Sequence, residues 1–358
     1  MKMPNNLPHI FVSIERLWKH ISIPRRIQFI WLLGLMVATS IFEVVGIGLL
    51  LPFLSILLNP ETVFNNDLVV PIIKFLDLTE PKQLLLPITI FFSITLLISG
   101  LMRVALLWSQ VRISHGVGAD LSISIYSKTL YQPYLVHISR NSSEIIAAIS
   151  QKTSHAVSNI IFPVFTIISS SLMIVLILTL LFVVNVELTL FLFTGLGLVY
   201  VVVMKAANKY LVSNGERVNI EQTRVIRILQ EGLGGIRDIL IDGFQEIYTK
   251  EYKSADLPLR RAHANIQIIG GTPRFIIESI SVTAVVLAAY VFSSEQNSLE
   301  SAIPALGTLV LGAQKILPLL QQLYNSFINI ISGQPSLRES LGFLEQSIPK
   351  EAIAKETR

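Results

Sequence analysis

Between Thr153 and Met204 the chain carries only one Asp, Glu, Lys or Arg, which is Glu187. About 20 consecutive apolar residues, at about 1.5 Å each, are what it takes to cross the hydrocarbon core of a bilayer. This one stretch therefore supplies two spans, 160–184 and 188–204, joined by the short turn at Asn185–Glu187. Four further stretches meet the same condition with at most one or two charges each: 27–58, 84–108, 275–292 and 303–332. The composition agrees, with 52% hydrophobic and 15% charged residues and a mean hydropathy of +0.62. A soluble domain carries about 25% charged residues, so a soluble enzyme is excluded. So is disorder, which needs few apolar residues and many charges. The expected fold is an all-α membrane protein with six transmembrane helices.

The distribution of charge sets the orientation. Of the 28 Lys and Arg residues, only Lys74 and Lys82 fall on the odd-numbered connections, and Lys315 lies inside the last span. The rest lie on the N-terminal arm 1–26, the segments 103–158 and 205–274, and the tail 333–358. Lys and Arg gather on the cytoplasmic side of membrane proteins, so both termini are expected in the cytoplasm. The net charge of +4 is thus a topology signal. Nucleic acid is not an expected partner, because no basic face with interleaved aromatics is present. With no leader-like basic and apolar start, the first span is expected to direct insertion.

Ahead of that span, Leu7, Ile10, Phe11, Ile14, Leu17, Trp18 and Ile21 recur at spacings of three and four, with Arg16, Lys19 and His20 elsewhere on the wheel. That pattern predicts a helix lying in the membrane interface, ended by Pro24 and anchored by Arg25 and Arg26. The two long cytoplasmic segments have mixed polar and apolar residues at helical spacing, with Pro133 the single proline between Arg103 and Lys152 and none between Lys205 and Ala255. Both read as helical hairpins that carry the spans into the cytoplasm. The outer connections are short except the first, where Leu68, Ile72, Phe75 and Leu76 predict a short helix on the outer surface.

Several catalytic chemistries are absent. There are no cysteines, which excludes disulfides, thiolate metal sites and a Cys nucleophile. No metal is expected from the histidines, since no two lie three to five apart with a partner acid. No triad assembles, and no G-x-x-x-x-G-K-[ST] phosphate loop is present. Gly232-Leu233-Gly234-Gly235 follows a helix where a phosphate cradle needs a strand, so it reads as close packing or a bend. Catalytic residues are therefore none.

A charge at the centre of a span costs roughly 2.5–3.5 kcal/mol on insertion scales and turns toward the bundle or water. Glu43 sits mid-span and reads equally as a cavity group or an interhelical hydrogen bond. Arg103, near the end of span two, has the reach to snorkel. Arg274 and Glu278 are four apart on one helix face and are expected to pair. Lys315 lies mid-span between Pro304 and Pro318, with Gln314, Gln321 and Gln322 nearby.

Six spans, short outer turns and two long cytoplasmic hairpins together resemble the transmembrane domain of a type I ATP-binding-cassette (ABC) exporter. Glu43-Val44-Val45-Gly46-Ile47-Gly48 with Pro52-Phe53, the run Gln230 to Ile239, and Gly271-Thr272-Pro273-Arg274-Phe275-Ile276-Ile277-Glu278 are similar to the lipid-linked oligosaccharide flippase branch. The resemblance implies an interfacial elbow helix over 1–26, a six-helix domain over 27–332, and a tail over 333–358 leading to a nucleotide-binding domain absent from this chain. ATP and Mg would act only through that domain, fused or separate, so ATPase activity is not expected of this chain alone. The resemblance also implies a second half-transporter, giving a homodimer, and membrane lipids as partners in a bacterial inner membrane. Its coupling helices would fall at the hairpin ends, in Pro133–Ser142 with Tyr134, His137 and Arg140, and in Ile241–Tyr248 with Asp242, Phe244 and Glu246. A substrate pathway would run past Glu43, Arg103, Arg274, Glu278 and Lys315, with Lys315 suited to a pyrophosphate-linked substrate. A peptide or drug exporter of the same fold, a secondary transporter and a non-transporting membrane scaffold are the alternatives. A secondary transporter predicts inverted repeats and broken helices, which are not evident.

Overall fold

The structure is a computed structural model that describes residues 6–58, 60–64, 79–140, 142–184, 186–294 and 299–347. Every described element is helical. The amphipathic start forms α1 (Asn6–His20), which ends before Pro24, and Pro24 instead sits in the first turn of α2 (Ile23–Gly48). That placement suits a residue with no N–H to donate. α2 gives way at Leu49 to α3 (Leu50–Leu58). Pro52 is the cause, because it has no N–H for the carbonyl of Gly48. A short α4 (Pro60–Phe64) follows. The outer-surface helix expected around Leu68 to Leu76 lies outside the described residues.

A 3₁₀ turn, Pro81–Leu84, leads into α5 (Leu85–Leu130), and α6 (Tyr134–Ser139) caps the first hairpin. The return run, α7, begins with Ser142–Ala147 and ends with Phe162–Val184, with π-helical turns at Ala148–Lys152 and Val157–Ile161 between them. Then come α8 (Val186–Gly234), the short α9 (Ile236–Asp242), α10 (Gln245–Ser294) and α11 (Leu299–Leu344). The helix expected to end near residue 332 thus continues to Leu344.

Three segments are long and apolar enough to cross a membrane: Ile23–Leu58, Pro81–Leu130 and Ser142–Val183. The other expected spans fall on α8, α10 and α11, in stretches where part of the side chains are outside the described set. The long helices α5, α8, α10 and α11 have 46, 49, 50 and 46 residues. Each is then about 70 Å long, more than twice the roughly 30 Å of hydrocarbon. The excess forms the arms expected from the two hairpins.

The apolar interior divides by depth. One cluster joins Leu17 and Ile21 of α1 to Leu121, Ile125, Ile160 and Leu341, so α1 packs on the end of the bundle that carries the long helical extensions. A second joins Ile47, Ile177, Leu181, Ile316 and Leu319 within the spans. Glycines set the closest crossings. A Cβ on Gly215 of α8 would lie 2.4 Å from the backbone oxygen of Ser332 on α11, and one on Gly312 would lie 2.7 Å from Leu181. Ser332-Gly333-Gln334 lies inside α11, where a Cβ on Gly333 would meet Asn159 at 2.7 Å. Gly333 is therefore a packing residue.

Candidate functional site

The expected pathway residues separate into two groups. On α2, buried residues recur at helical spacing, with Leu32, Met36, Thr39, Ser40, Glu43 and Ile47 facing inward. Glu43 is on that face, with 2% of its side chain exposed. On α5, Ser99 and Arg103 are four apart and so project from one face. They meet Glu43 because α2 and α5 run close there: a Cβ on Gly46 would touch Leu96 at 3.4 Å. Arg103 Nη2 lies 2.6 Å from Glu43 Oε1 and Lys315 Nζ lies 2.8 Å from the same oxygen. Ser99 Oγ donates to the other oxygen, Oε2, at 2.6 Å. Three helices, α2, α5 and α11, therefore converge on one carboxylate.

The electrostatics of this cluster are uneven. One anion faces two cations, leaving a surplus of one positive charge. The anion is enclosed, while Arg103 and Lys315 expose 39% and 35% of their side chains. Guanidinium has five N–H donors and ammonium three, and Glu43 takes one contact from each. The open faces of the two cations thus retain donors. Arg103 is not snorkelling alone, since it spans from α5 to Glu43 and to Met173 Sδ at 3.7 Å.

Arg274 and Glu278 do not join this cluster. Both are exposed on α10, and they do not form the expected ion pair despite their spacing. Two of the glutamines near Lys315 serve neighbouring helices. Gln322 Oε1 accepts from Ser170 Oγ at 3.1 Å, and Gln321 Nε2 donates to the carbonyl of Gly270 at 2.8 Å. Tyr324 was not singled out from the sequence, yet its hydroxyl donates to the carbonyl of Ile269 at 3.1 Å. That carbonyl stands four residues before Pro273, which lies inside α10 and has no N–H for it. The signal was available, because a proline in a long apolar helix leaves a carbonyl that must find another donor.

The hairpin ends are exposed. At the first, Tyr134, Leu135 and Ile138 of α6 are 77%, 78% and 64% exposed, His137 is half-buried, and Arg140 lies over the Phe343 ring at 5.5 Å. At the second, the reversal begins at Gly235, ahead of the expected stretch Ile241–Tyr248. α8 stops at Gly234, and Gly243 adopts φ 72°, the left-handed conformation that glycine tolerates best. Asp242 closes α9, Phe244 is in the turn, and Glu246 lies in the first turn of α10. Of the Gly232–Gly235 run, the first three residues form the last turn of α8 and Gly235 ends it, while a Cβ on Gly232 would touch Tyr248 of α10 at 3.4 Å.

Between the arms, His155 of α7 stacks on His263 of α10 with ring centroids 6.1 Å apart. Its ring nitrogens sit 3.2 Å from the side-chain amides of Asn159 and Gln222. Both imidazoles lie outside the apolar stretches 160–184 and 275–292. Burial pushes each below the ordinary histidine range; after burial, the other ring's charge adds to this at His155, and Arg260 at His263.

A bundle of apolar helices with long polar arms and a charged cluster inside its membrane half defines an integral membrane protein of the transporter class. A family model described as the ABC transporter transmembrane region matches residues 30–310, and the chain belongs to that family. No curated protein matches it in a sequence comparison.

Proposed function

We propose that the chain is the membrane-spanning part of an ATP-driven exporter or flippase that moves an anionic, amphipathic substrate, a lipid-linked oligosaccharide or related lipid. Six spans carry the pathway, with both termini in the cytoplasm of a bacterial inner membrane, and two copies form the working unit. A nucleotide-binding domain, fused or separate, supplies ATP hydrolysis and docks on the exposed hairpin ends around Tyr134, His137 and Arg140 and around Asp242, Phe244 and Glu246. Closure of those domains moves the arms, and the spans alternate between inward and outward access. Such a switch requires two global states with different contacts.

The observation that carries this reading is the surplus cation at Glu43. A neutral drug has no use for two charged side chains held half-open inside a span, and each is expensive there. A phosphoryl or pyrophosphoryl group is the matching partner. Glu43 holds Arg103 and Lys315 together until such a group arrives.

The test is flipping of a fluorescent lipid-linked saccharide in proteoliposomes holding this chain with its nucleotide-binding domain. The expected result is ATP-dependent flipping that falls at least about ten-fold in Lys315→Ala, the loss of one charge-assisted contact. Stimulation of ATP hydrolysis by peptides or neutral amphiphiles, with no response to the saccharide lipid, overturns it.

A further inference from the structure

A second polar site lies away from the Glu43 cluster, where the elbow helix meets the cytoplasmic extensions of α8 and α11. A cleft of about 650 Å³ opens there, and its walls include Val12, Glu216, Ile220, Gln334 and Arg338. The crossing of Gly215 on Ser332 fixes α8 against α11 beside it. On the α1 side the wall is held in place, because Arg16 is committed to Glu345: Nε donates to Oε1 at 2.7 Å and Nη2 to Oε2. Glu339 is likewise committed to Lys152.

Three polar groups in the cleft are not so engaged. Gln334 is 6% exposed, and its Nε2 has no hydrogen-bond partner among the described residues. A buried amide N–H left unpaired costs on the order of 1–3 kcal/mol, which makes it a mark of a missing partner. Arg338 and Glu216 form no hydrogen bond or ion pair with another described residue. The cleft thus offers two donors, one of them cationic, and one anionic acceptor. Val12 and Ile220, 52% and 64% exposed, give its rim an apolar edge.

We propose that this cleft binds the head group of phosphatidylethanolamine. The phosphodiester takes the Arg338 guanidinium and the Gln334 amide, and the primary ammonium donates to Glu216. The apolar rim accepts the start of the acyl chains. The reading of α1 as an interfacial amphipathic helix that leads straight into α2 puts the cleft at head-group depth. The chemistry also selects among lipids. Choline has no N–H to donate to Glu216, and glycerol brings no cation to it. The site stands apart from the transport reading and does not depend on it.

The experiment is native mass spectrometry of the full chain released from nanodiscs holding equal parts of phosphatidylethanolamine, phosphatidylcholine and phosphatidylglycerol. The expected result is ethanolamine adducts retained about ten-fold over either competitor, the value of one charge-assisted hydrogen bond. Glu216→Gln is expected to erase the class preference while some lipid stays bound. Arg338→Ala is expected to lower retention of all three, with Arg338→Lys partly restoring it. Equal retention of the three lipids overturns the proposal, as does a preference that survives Glu216→Gln. Protection against thermal unfolding by soluble phosphoethanolamine, with no lipid retained, assigns the cleft to a soluble ligand and also overturns it. If the polar variants fail to fold, Ile220→Trp fills the cleft from its exposed rim and is expected to displace the lipid; retained lipid then counts against the site.

Discussion

The same ion-pair chemistry appears in two halves of this molecule with opposite weight. In the membrane half, Glu43 draws Arg103 and Lys315 from two other helices, and residues 56 to 272 positions apart in sequence share one carboxylate. On the part of α10 beyond the spans, two charge pairs are local. Glu246–Lys250 and Asp256–Arg260 are each four residues apart on one helix, at 2.7 and 2.6 Å. The distances barely differ between the halves. What differs is the alternative open to each charge if the partner is lost. For these two surface pairs on α10 that alternative is water. Inside the spans there is no good one, so a pair there fixes which helices meet.

The largest effect is therefore expected from Glu43→Leu. It leaves two cations facing each other in an apolar bundle, and breaking a buried pair from one side costs roughly 3–5 kcal/mol. The partial exposure of Arg103 and Lys315 lowers this to about 2–3 kcal/mol. It would be read as a fall in thermal stability in detergent, accompanied by loss of the α2–α5 contact in cross-linking. Adding Lys315→Met to Glu43→Leu is expected to recover part of the loss. An unchanged melting point in the single variant breaks the comparison, because the cluster would then carry no more weight than an arm pair.

Packing comes next. Gly215→Val places a side chain where even a Cβ would lie 2.4 Å from backbone oxygen, and backbone cannot rotate away as a side chain does. Overpacking costs typically 1–3 kcal/mol, so about 2 kcal/mol is expected at this crossing. Gly234→Val is the matched control, since a Cβ there meets nothing within 4 Å. Equal losses in the two variants would mean that helix propensity, and not the crossing, is what the glycine serves.

Tyr324→Phe sharpens the contrast within the spans by removing a single neutral hydroxyl. It frees the Ile269 carbonyl that Pro273 has already orphaned, for an expected cost of about 1 kcal/mol. Double replacement with Pro273→Ala restores an N–H to that carbonyl, so the tyrosine is expected to matter less in that background. Additive losses would show that the hydroxyl does not act on the proline's carbonyl.

These positions also show how far the sequence reaches. Each charged member of the Glu43 cluster is visible alone, because a charge in an apolar run is costly wherever it sits, whereas the neutral Ser99 is not. Their meeting is not visible, since nothing in one chain states which helices are neighbours, and Arg103 reads as easily as a snorkelling end residue. Arg274 and Glu278 fail in the reverse sense: ideal spacing on an exposed face does not compel a pair. The arms are legible from the mismatch between helix length and bilayer thickness. The expected stretch Ile241–Tyr248 overlaps only the end of the second reversal, whose limits Gly235 and Gly243 set. Tyr324 is hidden because its partner is a backbone group, and only Pro273 betrays that the partner needs one.

The arm histidines offer a pH handle. His155 and His263 are held below the ordinary histidine range by burial. The unfolded chain then binds more protons than the folded one in the window below the unfolded value, about 6.5. Stability is full above that value and falls as pH drops toward the folded value. A lower melting point at pH 5.5 than at 7.5 is expected, with the difference reduced in His155→Gln. A difference that is unchanged in that variant places the pH response elsewhere.

The smallest effect is expected from Lys250→Ala. Its pair with Glu246 is short, but the side chains are 74% and 79% exposed, and a pair of this spacing contributes about 0.2–0.5 kcal/mol in an isolated helix. Alanine is also the better helix former, so the two terms nearly cancel and the melting point should move by less than the error of the scan. Salt separates the terms: the pair is screened within a Debye length of about 10 Å at 0.1 M, while propensity is not. The variant is therefore expected to be slightly more stable than the parent in high salt. A loss as large as that of Glu43→Leu would mean that the second hairpin end behaves as a buried interface, with Glu246 already pressed against a partner, and that exposure on the arms had been misjudged.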